Sequence, residues 1–338
     1  MNEFLLSLFE SFPLIVLLAI IGLFLLSLGK GADILIDQAV ILSGYLKIPK
    51  AIMGATIISL GTTLPELSVS TMAAIGGNPG LALGNAVGSI ITNAALIIGL
   101  SAMIRPIDID PKNIKVQSWV KLGAASLLVL FSLPFFASDD IGKIPQIGGF
   151  IFVGMLVIYL YWSYKESKRY AFMEEENLEE NVTNKMVVEK LLLIIVGMVI
   201  VIFSSKVLIP AVEISAIRVG IPQAVIAATL VAFGTSLPEL TTSIKAVLKG
   251  YGELAVGNIV GANILNILFV IGVSAAVTPR GLLVPEIFYR VHFPAMVLIL
   301  ILFKLFTSKK ATIIGRRQGF LLFVIYLLYL GANLAIKA

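Results

Sequence analysis

The sequence predicts an all-α transmembrane protein of ten helices, built as two inverted five-helix repeats with broken helices at the membrane midplane. Three observations support this fold class. Of the 338 residues, 58% are hydrophobic and 13% are charged, whereas soluble proteins have about 45–50% apolar and about 25% charged residues. Apolar stretches long enough to cross a bilayer recur along the chain. A segment of the first half is repeated in the second half, as described below.

Hydropathy predicts ten membrane spans. They lie at roughly residues 12–43, 49–76, 80–104, 116–137, 146–164, 187–216, 222–249, 254–277, 286–306 and 317–336. The first apolar stretch lacks a basic leader and a small-residue cleavage site, so we interpret it as a span and not as a signal peptide. A hydrophilic stretch separates five spans from the other five. We therefore predict an N-terminal half at 1–164, an acidic linker at 165–186 and a C-terminal half at 187–338.

The distribution of Lys and Arg predicts that both termini lie outside. In that orientation 18 of the 25 Lys and Arg residues, Lys121 among them, fall in inner loops, as the positive-inside rule requires. Topology thus explains the net charge of +5, and we predict no nucleic-acid or protein partner. The expected environment is a lipid bilayer, a plasma membrane of the prokaryotic type. Lys30, within the first span, is expected to pair with Asp33 or Asp37.

The internal repeat covers residues 48–100 and 221–273. Shifting the sequence by 173 positions aligns these segments without a gap, with 24 identities in 53 pairs. Gly-Thr-Thr-Leu-Pro-Glu at 61–66 matches Gly-Thr-Ser-Leu-Pro-Glu at 234–239, and both are followed by Gly-Asn-x-x-Gly. Five spans, an odd number, separate equivalent points. The two copies must therefore enter the membrane from opposite sides, which is typical of transporters with a midplane site.

Glu66 and Glu239 fall in the middle of their spans, where a charged side chain costs about 2.5–3.5 kcal/mol on insertion scales. Pro65 and Pro238 each remove one helical hydrogen bond, so both helices should break beside the glutamates. On each helix, further polar residues lie on the same face as the glutamate and form one polar stripe with it. The first stripe comprises Ser59, Thr62, Thr63, Glu66 and Ser70, and the second comprises Thr235, Ser236, Glu239 and Ser243.

Carboxylate, hydroxyl, amide and backbone oxygens at one depth are the ligands of a hard cation such as Ca²⁺ or Na⁺. The chain has no Cys and a single His, His292, which disfavours soft metals and a nucleophilic hydrolase site. A purely structural role for the glutamates is the alternative interpretation. Gly84, Gly88, Gly257 and Gly261 form small-xxx-small pairs that favour close helix packing over coordination.

The two Gly-Thr-x-Leu-Pro-Glu motifs, each followed by Gly-Asn-x-x-Gly, resemble the alpha repeats of the cation/calcium antiporter superfamily, specifically its sodium/calcium exchanger branch. The resemblance implies a secondary antiporter, not an enzyme, that has no cofactor and exchanges Ca²⁺ for Na⁺ by alternating access at a shared site. It also implies that the first and sixth spans slide as a gate. The residues that it implies as ion ligands are Glu66, Glu239, Thr62, Thr63, Thr235, Ser236, Asn93, Asn266 and Ser89, with backbone carbonyls from Ser59 and Ala232.

Two positions depart from the family pattern. Asn266 stands where potassium-dependent relatives carry an aspartate, which suggests independence from K⁺. Ala262 stands where a serine is usual and mirrors Ser89, so one Na⁺ subsite is expected to lack a hydroxyl. Alternatives that remain open are a proton-coupled or K⁺-dependent calcium/cation antiporter and, from another class, a cation channel. Gly88 and Gly261 argue against proton coupling. Proton/calcium exchangers of the superfamily have Gly-Asn-x-x-Glu after the first motif, whereas glycine fills the final position here.

Overall fold

The computed structural model of the chain describes residues 2–133, 142–173, 182–220, 234–308 and 312–337. Its helices, numbered along the chain, are α1 Asn2–Glu10, α2 Leu14–Tyr45, α3 Lys50–Thr62, α4 Leu64–Ile75, α5 Pro79–Ile104, α6 Pro111–Ser132, α7 Gln146–Met173, α8 Asn184–Arg218, α9 Leu237–Leu248, α10 Gly252–Ala276, α11 Phe288–Phe306 and α12 Arg316–Lys337. The π-helical segments Gly54–Ile58, Thr92–Ile97, Asn266–Ile271 and Phe288–His292 lie in α3, α5, α10 and α11.

The described residues contain seven helices long and apolar enough to cross a membrane, or eight if α3 and α4 form one broken span. The bend between α3 and α4 is 46°. It lies at the position predicted from Pro65, which is in the first turn of α4 and cannot donate a backbone hydrogen bond. In the second repeat, α9 begins at Leu237, directly before Pro238. Residues 222–233 of the predicted 222–249 span lie outside the described residues.

The helices that follow the two motifs form the centre of the molecule. In the most apolar windows of α5 and α10, 83% of the residues are buried inside the protein, compared with 17% in the window of α2. A helix in α2's position can expose leucine and isoleucine because the lipid, and not the protein, covers them. The polar residues of α5 and α10 are therefore enclosed by protein.

Small residues allow α3 to contact α10 closely, as predicted for the second glycine pair. A Cβ atom added to Gly257 would lie 2.1 Å from the carbonyl oxygen of Ala51, and one added to Gly261 would lie 2.5 Å from that of Ala55. Such distances leave no room for a side chain, so the glycines bring the two backbones together. Gly84, equivalent to Gly257, has no described atom within 4 Å of the same position.

Each repeat turns between its two helices at a glycine with positive φ, at equivalent positions in the two repeats. Gly77 has φ 76° and Gly250 has φ 84°, a conformation that a side chain disfavours. The residue after each glycine donates to a carbonyl five positions back, Asn78 to Ala73 and Tyr251 to Ala246, both at 2.8 Å. This pattern ends α4 and α9 in the same way.

The two longest helices, α2 and α8, pack against each other next to the repeats. A Cβ added to Gly197 would lie 2.8 Å from the backbone nitrogen of Leu35. Ser204 donates to Ser27 at 2.9 Å across the same contact. The Met198 side chain of α8 lies against Gly61 of α3. Helix α8 therefore contacts the first repeat at the first residue of its motif.

Two short antiparallel strand pairs join loops of the two halves. Strand β1, Ile107–Asp108, pairs with β4, Ile313–Ile314. Strand β2, Lys143–Ile144, pairs with β3, Leu282–Leu283. In each pair, one strand comes from each half of the chain. Hydropathy gave no signal for these bridges, because two-residue strands are too short to show a periodicity.

Three expectations need correction or comment. Asp33 and Asp37 pair with Lys245 and Lys249, so the predicted pairing with Lys30 is wrong; the tertiary fold supplies cations from another helix. Lys121, assigned above to an inner loop, is fully buried within α6. Helix α7 continues to Met173, beyond the predicted end of its span. The acidic run lies outside the described residues and comprises Glu174, Glu175, Glu176, Glu179 and Glu180.

Candidate functional site

The site is built around Glu66 in the first turn of α4 and Glu239 in the first turn of α9. Both residues are 0% exposed, and their carboxylates are close enough to repel each other. Neither carboxylate makes a hydrogen bond of normal geometry with a described residue. Two buried acids that repel each other and lack donors need positive charge nearby, since an isolated carboxylate in a low dielectric is strongly unfavourable.

Each glutamate faces a threonine of the opposite repeat. The Thr235 side chain lies next to the Glu66 carboxylate, and the Thr62 side chain lies next to Glu239. The sequence alone could not show this exchange, because residues so distant along the chain, one from each repeat, meet only when the repeats are interleaved. The structure therefore brings the two glutamates and these two hydroxyls to one place.

A network of hydrogen bonds connects the turn before α9 with α5. Thr235 Oγ1 donates to Asn85 Oδ1 at 3.0 Å, and Ser236 Oγ donates to Ser89 Oγ at 3.2 Å. Asn85 in turn donates from Nδ2 to the backbone oxygen of Glu66 at 3.2 Å and to Ser70 Oγ at 2.9 Å. This side of the site is therefore pre-organised by contacts between the repeats.

The equivalent network on the other side is incomplete among the described residues. Thr63 Oγ1, which mirrors Ser236, is buried and has no partner. Its expected partner position, equivalent to Ser89, is Ala262, which has no polar side-chain atom. Thr62 Oγ1, which lies next to Glu239, donates to the carbonyl of Ser59 in its own helix at 3.5 Å, which is long for a hydrogen bond. The lack of a hydroxyl at Ala262 is consistent with the absence of a partner for Thr63 among the described residues.

Asn93 and Asn266 lie at equivalent positions on α5 and α10, within or at the start of π-helical segments. Both are 0% exposed, and none of their amide atoms has a described partner. Most buried side-chain amides are hydrogen-bonded, so two mirror-related exceptions require an explanation. Single π-helical turns are frequent at functional sites. Amide oxygens in such positions are suited to a hard cation.

The two predicted backbone ligands have different outcomes. The Ser59 carbonyl lies in the buried core of the site and already accepts the Thr63 backbone N–H at 3.0 Å. Ala232 lies outside the described residues, so its predicted role stays a prediction. No cluster of three or more His, Cys, Asp or Glu side chains occurs within the described ranges. A cation here would therefore depend on two carboxylates supplemented by neutral oxygens.

One buried polar residue was missed by the motif analysis. Asn263 on α10 is 0% exposed and both atoms of its amide lack a described partner. Its equivalent in the first repeat is Ile90, so the repeat comparison gave no reason to select it. The available signal was that Asn263 is a further asparagine in the predicted 254–277 span, beside Asn258 and Asn266.

A cleft of about 400 Å³ opens beside the site between α4 and α8. Its wall includes Pro65 next to Glu66, Pro238 next to Glu239, and Thr235 itself. Lys206 on α8 also lines this cleft. The cleft therefore borders the site on one side, next to the residues that flank the two glutamates.

Comparison with known proteins agrees with this geometry. Residues 16–165 and 189–335 match the sodium/calcium exchanger protein family. The chain is 34% identical over 309 residues to an uncharacterized membrane protein of Methanocaldococcus jannaschii, covering 91% of this chain and 94% of that relative. It is 26% identical over 335 residues to the sodium/calcium exchanger MaX1 of Methanosarcina acetivorans, covering 90% and 95%. A solved structure of the sodium-calcium exchanger NCX_Mj, soaked with 10 mM Na⁺ and zero Ca²⁺, superimposes with a TM-score of 0.79, 30% identity and coverage of 95% and 99%.

The fold and the site together define an integral multi-pass membrane protein of the cation/calcium antiporter class. The chain belongs to the sodium/calcium exchanger family, whose members are transporters.

Proposed function

We propose that this protein is a secondary antiporter that exchanges Ca²⁺ for Na⁺ at one shared site between the two repeats. The observation that carries the proposal is the meeting of Glu66 and Glu239, fully buried and without hydrogen-bond donors in the described part of the chain. Two carboxylates balance the charge of one Ca²⁺ or of two Na⁺. Carboxylate, hydroxyl and amide oxygens match the preference of both ions. The proposed ligands are Glu66, Glu239, Thr62, Thr63, Thr235 and Ser236, with Ser89, Asn93, Asn266, Ser59 and Ala232 at the Na⁺ positions.

Coupling follows from competition for the same carboxylates. An unneutralised pair of acids is unfavourable in a low dielectric, so the protein reorients readily only when Ca²⁺ or Na⁺ occupies the site. Each ion must leave before the other enters. Exchange is then obligatory without any direct contact between the two ions.

The proposed architecture is ten spans in two inverted halves, 1–164 and 187–338, joined by the linker at 165–186, with both termini outside. Helix α8 contacts the first repeat at Gly61, through Met198, and the second repeat at Gly234, through Ile209. Helix α2 packs against α8 at Gly31. We assign these two helices as the moving gate, because they touch both motifs and belong to neither.

The test is Ca²⁺ uptake into proteoliposomes under separately imposed Na⁺, K⁺ and H⁺ gradients. An outward-directed Na⁺ gradient should drive uptake, and K⁺ or pH gradients of equal size should not. Uptake driven by the pH gradient alone would instead assign the protein as a proton-coupled antiporter, and a requirement for K⁺ would assign it as K⁺-dependent. Single-channel currents would indicate a channel.

The first testable prediction concerns the carboxylates. Glu66→Gln and Glu239→Gln should each lower Na⁺-driven Ca²⁺ uptake by about a hundredfold or more, since removing one charge of a buried ionic cluster costs about 3–5 kcal/mol. Glu189→Gln is the matched control, because Glu189 on α8 is 58% exposed in its side chain and should leave uptake unchanged. Exchange near the wild-type rate in either site variant would remove that glutamate from the mechanism.

A further inference from the structure

Four charged residues join α2 to the end of α9 on one side of the site. Asp33 Oδ2 lies 3.1 Å from Lys245 Nζ, and its Oδ1 lies 3.2 Å from Lys249 Nζ. Lys249 also reaches Asp37 Oδ1 at 2.7 Å. Both the acids and the lysines are spaced by four, so each pair occupies one face of its helix. We name this cluster of Asp33, Asp37, Lys245 and Lys249 the α2–α9 latch.

The mirror position has a different chemistry. The offset of 173 that relates the repeats also relates the ends of α2 and α8, Tyr45 and Arg218. It places Lys206 opposite Asp33 and Met72 opposite Lys245. Lys206 and Met72 both line the open cleft between α8 and α4, and Lys206 has no ion pair among the described residues. On one face of the site, ion pairs therefore hold α2 against α9. At the equivalent position of the other face, α8 and α4 are separated by the cleft.

The latch is placed so that its state affects the site. Helix α9 begins two residues before Glu239 and ends at the latch. Helix α2 contacts α8 at Gly31 and Gly197, and α8 contacts both motifs. A movement of α2 away from α9 would therefore be transmitted to the helices that border the ion ligands.

The strength of the contact suits a reversible function. The latch side chains are 28–48% exposed, and ion pairs with this degree of solvent contact are individually weak and easily broken. An apolar seal of the same area would hold α2 in one position more firmly. Specific but weak pairing is what a contact needs if it forms and separates once per transport cycle.

We propose that the α2–α9 latch holds the α2–α8 pair in the position that closes one face of the ion site, and that its ion pairs must separate before that face opens. The four residues are positioning residues: they act through α2 and touch no proposed ligand. The inference rests on the proposed function, since only a transporter that alternates needs to open the closed face. Under the predicted topology, the closed face is the inner one.

The test uses the absence of Cys from the chain. A single Ser68→Cys substitution places a thiol on the wall of the open cleft, where Ser68 is exposed and is not a proposed ligand. The labelling rate of this thiol by a membrane-impermeant maleimide, in right-side-out vesicles, reports how often the cleft is open. Asp33→Asn with Asp37→Asn should slow the labelling about threefold to fivefold, because losing the weak pairs shifts the population toward the opposite opening.

The matched control is Glu286→Gln, which removes an exposed ion pair with Arg290 outside the site and should leave the labelling rate unchanged. A labelling rate equal to that of the unsubstituted latch would overturn the proposal. Restoration of the rate by the full charge swap, Asp33→Lys and Asp37→Lys with Lys245→Asp and Lys249→Asp, would support it and exclude misfolding as the cause, because all three ion pairs are then re-formed with reversed sign. If the swapped protein elutes as a monodisperse species but its labelling rate is not restored, the result would count against the proposal.

A second measurement locks the latch directly. Asp37→Cys with Lys249→Cys, cross-linked by a short bifunctional thiol reagent, should stop Na⁺-driven Ca²⁺ uptake, while the cleft opposite stays open to ions. Cleavage of the cross-link should restore uptake. Uptake at the uncross-linked rate in fully cross-linked protein would overturn the latch. Absence of uptake in the unmodified wild-type protein would instead count against the proposed function, and the labelling result would still judge the latch separately.

Discussion

The two repeats share their motif but differ in how the motif is held. The turn before α9 is bonded to α5 through Thr235 with Asn85 and Ser236 with Ser89. The turn before α4 makes no such bond to α10 among the described residues, since Thr63 has no partner. Ala262 explains much of this difference, because it removes the one hydroxyl that would mirror Ser89. The repeated sequence therefore folds into two half-sites that differ in the hydrogen bonds that hold them.

Among the variants that compare the two repeats, the largest effect is expected on stability, where the repeats are in closest contact. Gly257→Ala would place a Cβ 2.1 Å from the carbonyl oxygen of Ala51, and backbone cannot move aside as a flexible side chain can. We expect a loss of about 1–3 kcal/mol or more of stability, measured as a lower melting temperature in detergent. Gly154→Ala on α7 is the control, because nothing lies within 4 Å of its added Cβ. Equal melting temperatures for both variants would contradict the close approach of α3 and α10.

An intermediate effect should distinguish the two motif threonines. Thr235→Val removes a hydrogen bond between the repeats, whereas Thr62→Val removes only a long bond within its own helix. One neutral hydrogen bond contributes about 1 kcal/mol, so Thr235→Val should raise the apparent Michaelis constant for Ca²⁺ about fivefold more than Thr62→Val does. Both variants leave the carboxylates intact. Equal constants for the two variants would mean that the hydroxyls act only as ion ligands.

The smallest effect concerns the hydroxyl that one repeat lacks. Ala262→Ser should supply a partner for Thr63 and an additional oxygen, and so raise the apparent Na⁺ affinity about twofold to fivefold. Ser89→Ala makes the opposite change at the mirror position and should lower that affinity by a similar factor. Inhibition of Ca²⁺ uptake by Na⁺ on the uptake side measures both. A change in the same direction for both variants would show that the two positions are not functionally equivalent.

Hydropathy predicted the seven or eight spans that the described residues contain, and the central acids could also be identified from the sequence, in both cases for physical reasons. Hydropathy determines which segments enter a bilayer, and the break at Pro65 follows from a missing backbone donor. Glu66 and Glu239 were identifiable because charged residues within apolar spans are costly and are rarely accidental. Their roles as ligands stay predictions, tested by the variants above.

Pairings between distant helices were not predictable in the same way. Asp33 was expected to pair with the nearest lysine along its helix, Lys30, but tertiary packing brings Lys245 and Lys249 closer. Lys121 was assigned to a loop by its charge, yet its Nζ lies 3.8 Å from the ring centre of Phe303 inside the bundle. Asn263 escaped notice because its equivalent is apolar. These contacts depend on which helix faces pack against each other, and a hydropathy pattern does not contain that information.

The short strand pairs have a consequence for how the chain is connected. Each of them hydrogen-bonds a loop of the first half to a loop of the second, and the predicted topology puts the two bridges at opposite membrane surfaces. The halves are thereby attached to each other at both surfaces independently of the covalent link at 165–186. A chain cut by a protease between the end of α7 and the start of α8 should consequently copurify as two fragments, and a split gene expressing 1–173 and 182–338 separately should assemble the same particle.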